Sequence, residues 1–248
     1  MSPSAQKLLT HLPPISGLLF AEFECAPGRL AMPDVACDLI WTGRDLVVVG
    51  PMKTGRTVDP IHRHLALVTL DPIEAGRVLR CPLSELTNVI TSIRNVSPWL
   101  ANPLEDLFAN GHGARLVRPA KLTRPETANM SFAADALARG VGARRVAASL
   151  DVSSRHFRRQ FRQASGLSPG EFFRITRFRK AIGLARRGMS LAAASYSAGY
   201  ADQPHFNRES LRLTGRAPRR VIAGLGSSRE VIADCRNDTA SDGHRAAR

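Results

Sequence analysis

The sequence predicts an α+β chain, a mixed α/β N-terminal part followed by an all-α C-terminal part, and three observations lead there. Short apolar runs broken by turn formers fill residues 29 to 70. Beyond Pro82 the apolar residues recur instead at three- and four-residue spacing, the period of a helix face. The formal charge of +14 is also concentrated: residues 1 to 127 sum to +1, residues 128 to 225 to +13 and residues 226 to 248 to zero. A chain of 248 residues has room for two domains of about 100 to 150 residues. With 44% apolar and 23% charged residues it can build a core. The expected division is an N-terminal domain over 1–115, a linker over 116–127, a helical domain over 128–225 and a disordered tail over 226–248.

In the N-terminal domain, Asp38 to Trp41, the turn Thr42-Gly43-Arg44 and Leu46 to Val49 read as a β-hairpin, stopped by Gly50-Pro51. Leu65 to Leu70 is a third strand. Leu83, Leu86, Val89, Ile90 and Ile93 then fit one helix face, and Leu100, Leu104, Leu107 and Phe108 another. From Gly111 to Pro125 two glycines, two prolines and no apolar period mark the linker.

In the helical part, Phe132, Ala136 and Leu137 begin a helix that Gly140 and Gly142 end. Ala143 to Ser149 is a short helix and Leu150-Asp151-Val152 a tight turn. Ser153 is an N-cap, because its hydroxyl can accept a bond from a free N–H of the first turn, and its helix runs to about Ala164. Ser168-Pro169-Gly170-Glu171 is a capping box with proline at the first helical position, opening a helix to Arg187 that Gly188 stops. A second short pair follows: Leu191 to Ala198, the turn Gly199-Tyr200-Ala201, the N-cap Asp202, and a helix from Gln203 to about Thr214 closed by Gly215 and Pro218. Helix, three-residue turn, helix has thus occurred twice.

On a wheel of 100° per residue, Arg155, Arg158, Arg159 and Arg162 fall within about 100° of one another, opposite Phe157 and Phe161. Four like charges on one stripe repel, and Arg155 lies near the positive end of the helix dipole. The stripe therefore costs folding free energy unless an external anion relieves it. A short helix after a three-residue turn also has the shape that enters a major groove, so double-stranded DNA is the expected partner. In the second unit Phe206 and Leu213 point inward and Pro204, Arg208 and Arg212 outward, with Gln203 at the N-terminal edge and Asn207 on the same helix. Glutamine can pair with adenine and arginine with guanine through two bonds each. Ser210 falls inward, which predicts an underpacked second unit that Ser210→Phe would stabilise by up to about 2 kcal/mol. The helix from Pro169 to Arg187 spans about 28 Å and, with the width of a short helix added, sets the reading helices about one duplex turn, 34 Å, apart.

These residues resemble the DNA-binding domain of AraC/XylS-type bacterial transcription regulators. The resemblance rests on Val146 to Ser153, on Phe157-Arg-Arg-Gln-Phe161, on Gly166-Leu-Ser-Pro169 and on Arg177-Phe178 with Ala181. Its most specific part is Gly199-Tyr-Ala-Asp-Gln-Pro-His-Phe-Asn-Arg208 with Gly215-Arg-Ala-Pro218, and it covers about 100 of the 248 residues. It implies transcriptional control, with base contacts at Arg155, Arg158 and Arg159 in the first unit and at Gln203, Pro204 and Arg208 in the second, and RNA polymerase as a further partner. Pro204 has no donor where the family often has a polar side chain, Asp151 replaces a turn glycine, and Ser210 replaces a buried phenylalanine. Pro33-Asp34, Asp38 to Trp41 and Val49-Gly-Pro51 are similar to a small domain that precedes this module in some family members. By analogy the N-terminal domain senses a small-molecule effector or forms a homodimer.

Other functions fare less well. The apolar runs Ile15 to Phe20 and Leu65 to Leu70 are far short of the roughly 20 residues a membrane span needs. Met1 to Pro14 lacks the features of a secretory signal, so the expected location is cytoplasmic. Cys25, Cys37, Cys81 and Cys235 form no C-x-x-C pair, and His62 and His64 have no third ligand nearby, so neither a metal nor a cofactor is expected. Two alternatives remain: a DNA-repair alkyltransferase fusion, which the resemblance implies because the same module also occurs fused to methyl-accepting cysteine domains but which requires a zinc-bound cysteine cluster, and a nonspecific nucleic-acid binder driven by the basic block. Regulator rather than enzyme is the expected role.

Overall fold

The structure, a computed structural model, describes residues 17–24, 28–58, 64–116 and 125–225. Its first half comprises β1 (Gly17–Glu24), β2 (Arg29–Ala31), β3 (Cys37–Trp41), β4 (Leu46–Val49), β5 (Arg56–Val58), β6 (His64–Leu70), α1 (Ala75–Leu79), α2 (Leu83–Leu86), β7 (Ile90–Ser92), α3 (Ile93–Val96) and α4 (Pro98–Ala109). Among the described residues the strands form an antiparallel sheet in the order β1-β6-β3-β4-β7 and a separate ribbon of β2 with β5. The expected hairpin is β3–β4, with Leu39 opposite Val48 and Trp41 opposite Leu46. Period-two alternation turns Cys37, Leu39, Leu46 and Val48 to one buried face. That face packs on Val78 and Leu79 of α1, Leu83 of α2 and Leu100, Leu104 and Leu107 of α4.

Two expectations fail in this half. The run from Leu83 to Ile93 is not one helix, because Asn88 turns the chain at φ 63° and Ile90–Ser92 pairs with β4. An unpaired sheet edge offers backbone partners that outweigh a local period. The linker is also shorter than expected: Leu116 is buried in the sheet core, and the next helix already starts at Pro125. Residues 117–124 lie outside the described residues, as do Cys25, His62, Cys235 and the tail.

The second half contains α5 (Pro125–Ala138), α6 (Ala143–Ser149), α7 (Ser154–Ser165), α8 (Pro169–Arg186), α9 (Leu191–Ser197), α10 (Gln203–Thr214) and α11 (Pro218–Gly224). Pro218, read above as a stop, instead opens α11, where a missing N–H leaves no bond unmade. Two cores result. Ala133, Leu137, Val146, Phe157, Phe161 and Phe172 build the first; Phe178, Ile182, Tyr200, Phe206, Leu213 and Val221 build the second. Helix α8 serves both, with Phe172 and Ile175 in one and Phe178 and Ile182 in the other. The N-terminal half also contributes: Val35 and Ile73 are buried in the first core and Leu30 in the second. No helix among the described residues is long and apolar enough to cross a membrane.

Candidate nucleic-acid interface

The first helix-turn-helix unit is α6, its turn and α7. Asp151 makes the turn at φ 53°, a region aspartate tolerates better than most residues. Ser153 then accepts the N–H of His156 at 3.2 Å and starts α7. Phe157 and Phe161 are fully buried, 5.7 Å apart by ring centroid, and Phe172 of α8 meets Phe161 edge-on at 5.3 Å. This aromatic trio fixes the rotation of α7 about its axis. As a consequence Arg155, Arg158, Arg159 and Arg162 are all exposed. No carboxylate of the described residues forms an ion pair with any of the four; Arg159 instead lies 3.4 Å from the ring of His156.

The second unit is α9, its turn and α10. The carboxylate of Asp202 accepts the N–H of His205 at 2.6 Å, capping α10 as expected. Phe206 is buried against Phe178 and Tyr200. Pro204, Arg208 and Arg212 are consequently exposed and Gln203 is half-buried at the N-terminal edge. Asn207 differs: it is half-buried, with Oδ1 turned away from solvent. The guanidinium of Arg177 on α8 lies 4.1 Å over the ring of Tyr200 and donates to the carbonyl of Gly199 at 3.3 Å, pinning the turn to the connecting helix. Burial pushes the Tyr200 phenol up to about 12, against the pull of Arg177 and helped by Glu209, so it stays neutral.

Ser210 faces inward, as its place on the wheel predicts. It is fully buried, and its hydroxyl donates to the carbonyl of Arg216 at 2.7 Å. Leu30 from the ribbon and Val221 and Leu225 from the α11 region fill the second core.

Sequence reading missed a third face of α7. Gln160, Gln163 and Ala164, with Ile73, Arg77 and Cys81, line a groove of about 540 Å³ between α1 and α7. Its walls come from segments remote in sequence, so no local pattern marks it. Cys37 and Cys81 are free thiols, and among the described residues no group of three or more His, Cys, Asp or Glu could hold a metal.

Residues 146–223 match the family described as Helix-turn-helix domain. No protein of curated function matches the chain in sequence. Among solved structures, the chain is similar to the xylose-binding transcription activator xylR, at 17% identity and TM-score 0.34 over 44% of this chain. It spans only 29% of that protein. It is also similar to ToxT from Vibrio cholerae. The apo form gives 10% identity and TM-score 0.48 over 84% of this chain and 97% of ToxT. The form bound to unsaturated fatty acid gives 10% and 0.46 over 86% and 97%.

Proposed function

We propose that this chain is a DNA-binding transcriptional regulator, that residues 146–223, which match the helix-turn-helix family, are its AraC-type DNA-binding module, and that it reads an asymmetric operator with α7 and α10 in successive major grooves. The observation that carries this reading is the stripe on α7: four exposed guanidiniums, unneutralised by any described carboxylate, on a helix whose rotation two buried phenylalanines fix. On this reading Arg155, Arg158 and Arg159 contact base edges, with Arg162 further along the same stripe. In the second unit Gln203 and Arg208 contact bases through hydrogen bonds and Pro204 through apolar contact. Asn207, half-buried on the same helix, lies beside them. Helix α8, with 18 residues, spans about 27 Å, which with the width of a short helix approaches the 34 Å of one duplex turn.

The same reading makes the chain a cytoplasmic protein that acts by binding rather than by catalysis and passes its effect to RNA polymerase. The domain over 1–115 receives a small-molecule effector or a second copy of the chain.

The test is an operator selected from genomic fragments and then lengthened by about 5 base pairs between its two boxes, which turns one box to the opposite face of the duplex. Affinity should fall and the footprint should shrink to one box. An unchanged footprint means that a single unit reads DNA. Affinity that random duplex competes away equally well would identify a nonspecific binder.

A further inference from the structure

The N-terminal half meets the two reading helices at their C-terminal ends, away from the N-terminal ends where base contacts form. Thr87, just past α2, donates its hydroxyl to the carbonyl of Gly166 at 2.6 Å, and Gly166 is the left-handed C-cap of α7 at φ 76°. The approach is close: a Cβ on Gly166 would lie 2.7 Å from the carbonyl oxygen of Leu83. At the other unit, Gly55 donates its N–H to the carbonyl of Leu213, in the last turn of α10, at 2.7 Å. Between these points two ion pairs hold α8. Lys53 Nζ lies 3.0 Å from Glu171 Oε1 near its start, and Asp34 Oδ2 lies 3.0 Å from Arg179 Nη1 further along. Arg179 also donates to the carbonyl of Pro33 at 3.2 Å. The apolar contacts follow the same division, with Leu30 and Met32 in the second core and Val35 in the first.

We infer that the β2–β5 ribbon and its flanking loops set the relative pose of α7 and α10, so that the spacing of the DNA boxes is read by the N-terminal domain together with α8. This rests on the two-box reading above. A connecting helix alone would leave each unit to rock about its own short contacts. A second member tied to the far end of each reading helix closes the frame. Asp34, Lys53, Gly55 and Thr87 are then positioning residues, which touch no DNA and act through the helices they hold.

The experiment uses the full chain with D34N, K53M and T87V combined, and separately with Leu30→Ala. The amide introduced by D34N keeps an oxygen for the N–H groups of Val35 and Ala36, and valine preserves the shape of Thr87. Affinity is measured on operators whose box spacing is native or altered by one or two base pairs, each pair rotating one box by about 34 to 36°. The native chain should lose about tenfold for one base pair of misfit, and both variants about threefold or less. Variants that keep the native profile overturn the proposal. So does an equal fall on every spacing, which would mark lost stability alone. A native chain indifferent even to the 5-base-pair insertion overturns the two-box reading and this role with it. A native chain that senses the insertion while both variants keep its profile at one and two base pairs of misfit overturns this role only.

Discussion

At the scale of single residues, the proposed reading divides the exposed arginines of α7 into base contacts and phosphate contacts, and substitution tells the two apart. At least one of Arg155→Ala, Arg158→Ala and Arg159→Ala should cost about 1 to 3 kcal/mol on the selected operator and much less on random duplex. Parallel titrations on the two DNAs measure this, and equal losses on both would reduce all three to phosphate contacts. These positions were legible in the sequence because Phe157 and Phe161 sit four apart on a short helix with a clear cap, so the wheel had a fixed zero. Asn207 shows where such reading stops. Its neighbour Phe206 marks the inner face of α10, yet a residue at the boundary of that face can turn either way, and here Oδ1 turns inward.

At the scale of elements, what could be read depended on how local the deciding interactions were. Ser153, Ser168 and Asp202 each cap a helix by a bond to a backbone N–H three residues on, so these starts were visible in a few letters. Strands β2, β5 and β7 have three residues each, and their paired residues stand 25 or more positions away in the chain, so nothing local announces them. Helix α11 was hidden because a proline after a glycine cap signals a stop as readily as a new start. In α10, Ser210 is fully buried and its hydroxyl is hydrogen-bonded, which changes the expectation for it. Ser210→Phe should now destabilise the chain by about 1 to 3 kcal/mol, since the larger side chain must displace packed neighbours and the bond to the Arg216 carbonyl is lost. Urea melts of the two proteins decide it; a more stable variant would mean that the second core has room after all.

At the scale of the whole molecule, the contacts between halves make acid a means of loosening them. Glu171 caps α8 and also pairs with Lys53. Its partial burial favours the neutral form, but the bonds from the Ser168 N–H and hydroxyl and from Lys53 outweigh it and hold the carboxyl at about 2. A carboxyl held below its ordinary value of 4.5 adds stability that is complete above about pH 4.5 and lost as pH falls toward 2. Glu171→Gln should therefore cost roughly 1 kcal/mol at pH 7 and almost nothing near pH 2, since glutamine can still serve the capping box. Denaturant melts across that range should converge; curves that stay parallel would deny the ionised carboxyl any part. The charge asymmetry of the sequence located the basic half, but it could not reveal that the two halves share cores, because Leu30, Val35 and Ile73 look like ordinary interior residues of their own domain. Their placement has a bearing on engineering. A chimera that grafts a foreign N-terminal part onto residues 125–225 would inherit two hydrophobic interiors each missing a wall, so exchange of parts has to carry Leu30, Val35 and Ile73 along with the helices they complete.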